Sequence, residues 1–195
     1  QNLHALTEVS PPADFIIITP PGFLAAAQDL ANHHATHDGM VVHVTTTDQI
    51  YNEFSSGKQD IGAIRDYIKM YYDKNPTDYP TYVLLFGDGS FDYKPYLNRL
   101  DFDNTNFVPA FETTQSFDRG GSSYCSDDFY ALLDDNEGTY GYISLSGSSN
   151  IDVGVGRIPA RSLAEAQGVV DKIKYYATNI DCMRDWRNLV TLVAD

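Results

Sequence analysis

Cysteine is nearly missing from this chain. Among 195 residues only Cys125 and Cys182 carry a thiol, which excludes a disulfide-built scaffold. A single bridge between them is open; two separate thiols are the expectation. Bases are scarce too. Thirteen Lys and Arg stand against 27 Asp and Glu, for a formal net charge of −14. Such a surface repels phosphate backbones and anionic membranes, so nucleic acid and lipid are not expected partners. No apolar run approaches the ~20 residues that span a bilayer, so membrane insertion is not expected. No charged-then-apolar leader opens the chain, which starts on Gln1 rather than Met. A fragment or a processed product, with any signal peptide removed or outside it, fits that start.

What is present suffices for a core: 43% of the residues are hydrophobic and 13% aromatic. One domain over residues 1–195 is the expectation for this length. "DFIIITPPGF" (14–23) reads as a buried strand stopped by two prolines. Phe23, Leu24, Ala27, Leu30 and Ala31 then recur at helical spacing, with Gly39 as the stop. "MVVHVTTT" is a second strand, and Asp48 caps a short helix through Phe54. Asp60 opens another helix with Ile61, Ile64 and Ile68 on one face; "TYVLLFGD" is the third strand.

Periodicity fades between residues 90 and 150, where Gly, Ser, Asp and aromatics dominate. Sixty residues of that kind read as an insertion over one end of the sheet. Inside it "DDFYALLDD" and "TYGYISL" look like short strands, paired as a hairpin across "NEG". Regularity returns with "IDVGVGRIP", a strand whose glycines suggest a close backbone neighbour. The helix "RSLAEAQGVVDKIKYYATN" follows, with Ser162 and Glu165 as a capping box and an apolar stripe from Leu163 to Tyr176. "WRNLVTLVAD" is a last strand. The alternation predicts an α/β fold: a doubly wound, mostly parallel sheet with helices on both faces, plus the inserted hairpin region. Ligands of such folds sit beyond the carboxyl ends of the strands. Asp48, Asp88, the pair Asp134 and Asp135, and Asp195 fall at or near such tips.

The sequence limits the chemistry available there. No Gly-x-Ser-x-Gly elbow occurs, so serine hydrolysis is not expected. Cys125 is followed by Asp127 and Asp128, which raise a thiol pKa rather than lower it. His33, His34 and His37 lie in one helix at i, i+3 and i, i+4 spacing. A zinc site needs further ligands, and no Glu or Cys is near, so an exposed polar face is favoured. "DFDNT" (101–105) has a phosphotransfer spacing but does not follow a hydrophobic strand. Asp88 alone would serve a phosphoacceptor domain, without the partner acids such a domain needs. "LLDDNEG" and "NID" offer oxygen ligands for calcium, though not at EF-hand spacing.

Several phrases taken together resemble one family: "DFIIITPPGF", "YVLLFGDGSFDY", "NFVPAF", "SSYCSDDFYALLDD" and "DVGVGRIPARSLAEAQGVVDKIKYY", in this order. They are similar to gingipain-type cysteine peptidases, most of all to the PorU-like sortase branch of the Bacteroidetes type IX secretion system. The resemblance implies the first of two caspase-like subdomains. The catalytic His and Cys would then lie beyond Asp195, in a second subdomain that is this one's partner, with a peptide or protein as substrate. It implies structural calcium held at or near Asp88, Asp134, Glu137 and Asp152. It also implies export to the extracellular or outer-membrane surface of a Gram-negative bacterium. A non-enzymatic surface interaction module and a phosphoacceptor domain using Asp88 are the competing readings.

Overall fold

The computed structural model describes residues 2–3, 12–74, 79–90, 105–112, 125–135, 137 and 150–192. Four strands form its main sheet: β1 (Phe15–Thr19), β2 (Val42–Thr46), β3 (Tyr82–Phe86) and β6 (Gly154–Ile158), in the order β2-β1-β3-β6. Every pairing is parallel, with Phe15 opposite Val42 and Tyr82, and Tyr82 opposite Gly154. A small antiparallel ladder joins β4 (Phe111–Glu112) to β5 (Cys125–Ser126).

Both faces of the sheet are covered, which is why its strands read as continuous apolar runs rather than alternating ones. Ile17, Leu84, Phe86 and Ile158 face α1 (Leu24–His37) and α4 (Leu163–Thr178). Ile16, Ile18, Val83, Leu85 and Val155 face α2 (Thr47–Phe54), α3 (Ile61–Lys74) and the segment after β3. On that second face the crossover from β3 to β6 has no α-helix among the described residues. Phe129, Tyr130, Ala131 and Leu133 pack into the core in its place.

Several expectations change here. "DDFYALLDD" is not a strand: Asp128–Tyr130 is a 3-10 turn, and buried irregular chain follows. "TYGYISL" and most of the hairpin across "NEG" lie outside the described residues, as do Asp195 and most of "DFDNT". Asp134 and Asp135 are not at a carboxyl tip. Leu133 donates to Asp152, just before β6, which puts them at the amino edge. Thr46 rather than Asp48 caps α2, in a full capping box with Gln49. Ser162 caps α4 by accepting from Glu165 N, but the Glu165 carboxylate reaches Arg161 N instead of Ser162 N.

The last strand also fails among the described residues. Asp185–Asn188 is a 3-10 turn, and Leu189, Val190 and Leu192 carry no strand and are 74–90% exposed. An apolar run becomes a strand only when an edge pairs with it, and no described edge does. Leu163 and Tyr176 of the α4 stripe are likewise exposed, while Ala166 and Val170 are buried.

Candidate functional site

In this topology the ligand crevice lies between the tips of β1 and β3, whose connections leave over opposite faces. Here the chain fills its own crevice. A Cβ on Gly87 would come within 2.9 Å of Phe107 and 3.3 Å of Pro20. Phe107 stacks on Phe23 with ring centroids 5.1 Å apart. The backbone of Asp88 is held on both sides: its N–H donates to Ala160 O, and its carbonyl accepts from Phe107 N and Val108 N.

The Asp88 carboxylate is similarly engaged. Oδ1 accepts from Gly89 N at 3.0 Å, and Oδ2 lies 3.4 Å from Arg161 Nε. Among the described residues no second free acid completes a phosphoacceptor site beside it. Asp127, across the adjoining cleft, is gripped by Arg157 through both oxygens, at 2.8 and 2.7 Å. That cleft, of about 210 Å³, is lined by Asp88, Ser90, Cys125, Asp127 and Arg157 among others.

Arg157 organises this end of the molecule. Besides Asp127 it donates to Gly87 O (2.8 Å) and Val108 O (2.6 Å). One guanidinium thus ties β6, the β3 tip and the 105–110 loop together. Neither Arg157 nor Asp127 stood out in the sequence as a site residue. The signal was there: a lone base inside the apolar strand "VGVGRIP" is almost never buried unless it is paired.

Cys125 lines the same cleft, its Sγ donating to Glu112 Oε1 at 3.8 Å. Burial, then the Glu112 carboxylate, pushes its thiol above the ordinary value. Among the described residues it has no histidine within reach. His43 bonds Tyr71 from the α3 face of β2. His33, His34 and His37 sit at the far end of α1, which runs back to the amino edge of the sheet. A Cys–His dyad is therefore absent among the described residues. Cys182 is a free thiol past the end of α4, so no disulfide joins the two.

Two of the other three acids, Asp134 and Asp152, come together elsewhere. Tyr72 donates towards Asp134 Oδ1 (3.2 Å) and Asp152 Oδ1 (3.4 Å), and burial plus these carboxylates lifts its phenol to about 12. Glu137 Oε2 is buried with no hydrogen-bond partner. Asp88 belongs to the opposite edge, six residues along the strand from Tyr82 and roughly 20 Å away at strand rise. The loop carbonyls a calcium ion would need are already used. Arg65 takes Leu132 O, Asp134 O and Glu137 O, and Lys69 takes Leu133 O. No group of three acids, His or Cys among the described residues is placed to hold a metal ion. The described donors do not fit calcium as they stand; two bases do the tethering. Added calcium is accordingly expected to move the thermal midpoint by less than the about 2–4 °C that 1 kcal/mol produces in a chain of this size. A saturable rise that vanishes in Asp152→Asn would contradict this.

The family model of Peptidase family C25 matches residues 8–195. The chain belongs to peptidase family C25. A solved structure, dimeric latent PorU from Porphyromonas gingivalis, is similar over 90% of this chain at 33% identity, with a TM-score of 0.73. The likeness covers 16% of that PorU chain. No curated protein sequence matches. Membership in C25 carries the gingipain-type cysteine-peptidase character of the family, and the likeness to PorU carries the caspase-like α/β fold. Among the described residues of this C25 chain no helix is long and apolar enough to cross a membrane.

Proposed function

We propose that this chain is the amino-terminal, non-catalytic subdomain of a gingipain-type cysteine endopeptidase whose catalytic His and Cys lie beyond Asp195. The observation that carries the reading is the distribution of chemistry. The carboxyl edge, where a doubly wound fold places its reactive groups, holds a plugged crevice, a paired Asp127 and a thiol raised by its surroundings. A nucleophilic thiol needs the reverse: a lowered pKa and an adjacent base.

In the whole enzyme the second subdomain would attack a peptide carbonyl with a thiolate, histidine moving the proton. In a sortase-like member an amine would then replace water as acceptor. This half would brace that subdomain and shape the rim of the substrate cleft. Support for the brace comes from the apolar side chains left exposed on and after α4: Leu163, Tyr175, Tyr176, Trp186 and Leu189. An exposed patch of that kind marks an interaction surface. The family and the PorU likeness support a secreted or cell-surface setting.

A peptide-cleavage assay with a thiol-reactive probe tests the proposal. Cys125→Ala in the full-length protein is expected to leave turnover and active-site labelling unchanged. Cleavage by residues 1–195 alone, abolished by Cys125→Ala, would overturn it. Absence of cleavage and of probe labelling from the full-length protein would favour a non-enzymatic interaction module.

A further inference from the structure

The run from Leu189 to Leu192 has no place in the sheet that precedes it, and the topology gives the reason. β1 steps to β2 over the face that α1 covers, towards one edge of the sheet. β2 to β3 and β3 to β6 step the other way over the opposite face. All three crossovers therefore share one hand, and such crossovers are right-handed in about 98% of cases. α4 leaves β6 over the α1 face, where its Gln167 and Lys174 bond Asp29 of α1.

A strand after α4 that kept this hand would step back from β6 towards β2. β3, β1 and β2 already fill those places. The free place outside β6 demands the opposite hand. The free place outside β2 is four strand spacings away, about 19 Å. The chain does not set out for it. Arg187 donates to Tyr176 O at 2.7 Å, and its guanidinium lies 4.0 Å over the Tyr176 ring, which holds the start of the run against the end of α4.

The residues themselves say what kind of strand the run forms. A strand covered on one face alternates apolar with polar, and one covered on both faces reads as a continuous apolar run, as β1 and β3 do. In an extended chain Leu189 and Thr191 share one face, Val190 and Leu192 the other. Both faces therefore need cover, yet Leu189, Val190 and Leu192 are 74–90% exposed. Thr191 does not spoil the pattern, because Thr19 of β1 and Thr45 of β2 are buried as well. The β4–β5 ladder has two residues in each strand and cannot supply an interior position. We propose that Leu189–Leu192 is an interior strand of the second subdomain's sheet, so that the two subdomains divide between Asn188 and Leu189. The assignment rests on the reading that a second subdomain follows, and it names the element through which the two halves join.

Hydrogen exchange of the full-length protein, read by mass spectrometry of its peptides, tests this. In the wild type the 189–192 amides are expected to exchange as slowly as those of β1 and β3. Thr191→Pro removes a ladder donor, and should speed exchange in peptides beyond residue 195 while leaving residues 154–158 unchanged. Val190→Ala, a milder change that keeps the donor, should give the same pattern at smaller amplitude if the proline variant does not fold. Faster exchange at 154–158 without change beyond residue 195 would overturn the proposal, since the run would then be a fifth strand beside β6. Wild-type exchange at 189–192 as fast as in free chain would overturn it too. Peptide cleavage by the same wild-type sample separates this from the reading beneath it. A protected run in a protein without cleavage would overturn the peptidase assignment and leave the strand assignment standing.

Discussion

Replacing Arg157 by methionine is expected to lower stability by about 3 kcal/mol, read as a fall of about 6–12 °C in the thermal midpoint. Removing one partner of a buried ion pair costs about 3–5 kcal/mol because the other charge stays behind unpaired. The low end applies, since Asp127 keeps 24% of its side-chain exposure and water screens part of the loss. The carbonyls of Gly87 and Val108 also lose their donor. Arg157→Lys should recover little. An ammonium is a single point charge and cannot span Asp127 and two carbonyls at once, as the planar fork does. Asp127→Asn, which retains an acceptor, should cost less than Arg157→Met. The double variant should cost less than the sum of the singles, because the orphaned charge is gone. A loss under about 1 kcal/mol for Arg157→Met would mean that the guanidinium is no clamp, since that is what an exposed pair contributes.

The reasons for this arrangement bear on what could be read from the residues alone. The four main strands and helices α1, α3 and α4 were legible because each announces itself locally. Burial on both faces makes Phe15–Thr19 and Tyr82–Phe86 unbroken apolar runs, and the 3.6-residue repeat marks the helices. Residues 105–112 and 125–135 were not legible because their order is non-local. Val108 and Phe129 are buried only because the β3 tip and α3 are there to receive them, and the Tyr130 hydroxyl finds Pro109 O at 2.5 Å. No period announces such contacts. The run after Trp186 misled for the converse reason: its composition suits a strand, but strand formation also needs an edge to pair with. For the site, the turn at Asp88 was legible from its flanking glycines, while its distance from Asp134 and Asp152 was not. Sequence placed all three on acidic turns; only the parallel register put them at opposite edges of the sheet.

Gly87→Ala is expected to destabilise the protein by about 1–3 kcal/mol, the usual cost of forcing extra carbon into a packed site. The argument concerns space, not backbone freedom, because Gly87 has no left-handed φ. Its missing Cβ would sit 2.9 Å from Phe107 Cβ, 3.1 Å from Val108 Cγ2 and 3.3 Å from Pro20 Cδ. None of these neighbours gives way cheaply. Proline is a rigid ring, Phe107 is stacked on Phe23, and the backbone of 107–108 is bonded to Asp88 O. Gly156 supplies the internal control. It lies on the neighbouring strand with nothing within 4 Å of a built Cβ, so Gly156→Ala should stay within about 0.5 kcal/mol of the wild type. Denaturant melts of the two variants separate the explanations. A large loss at Gly87 alone means that the crevice at the β1–β3 switch point is filled by the protein's own 105–110 loop. Equal effects at both positions would mean that it is not, and that a ligand-sized space remains where this fold ordinarily binds one.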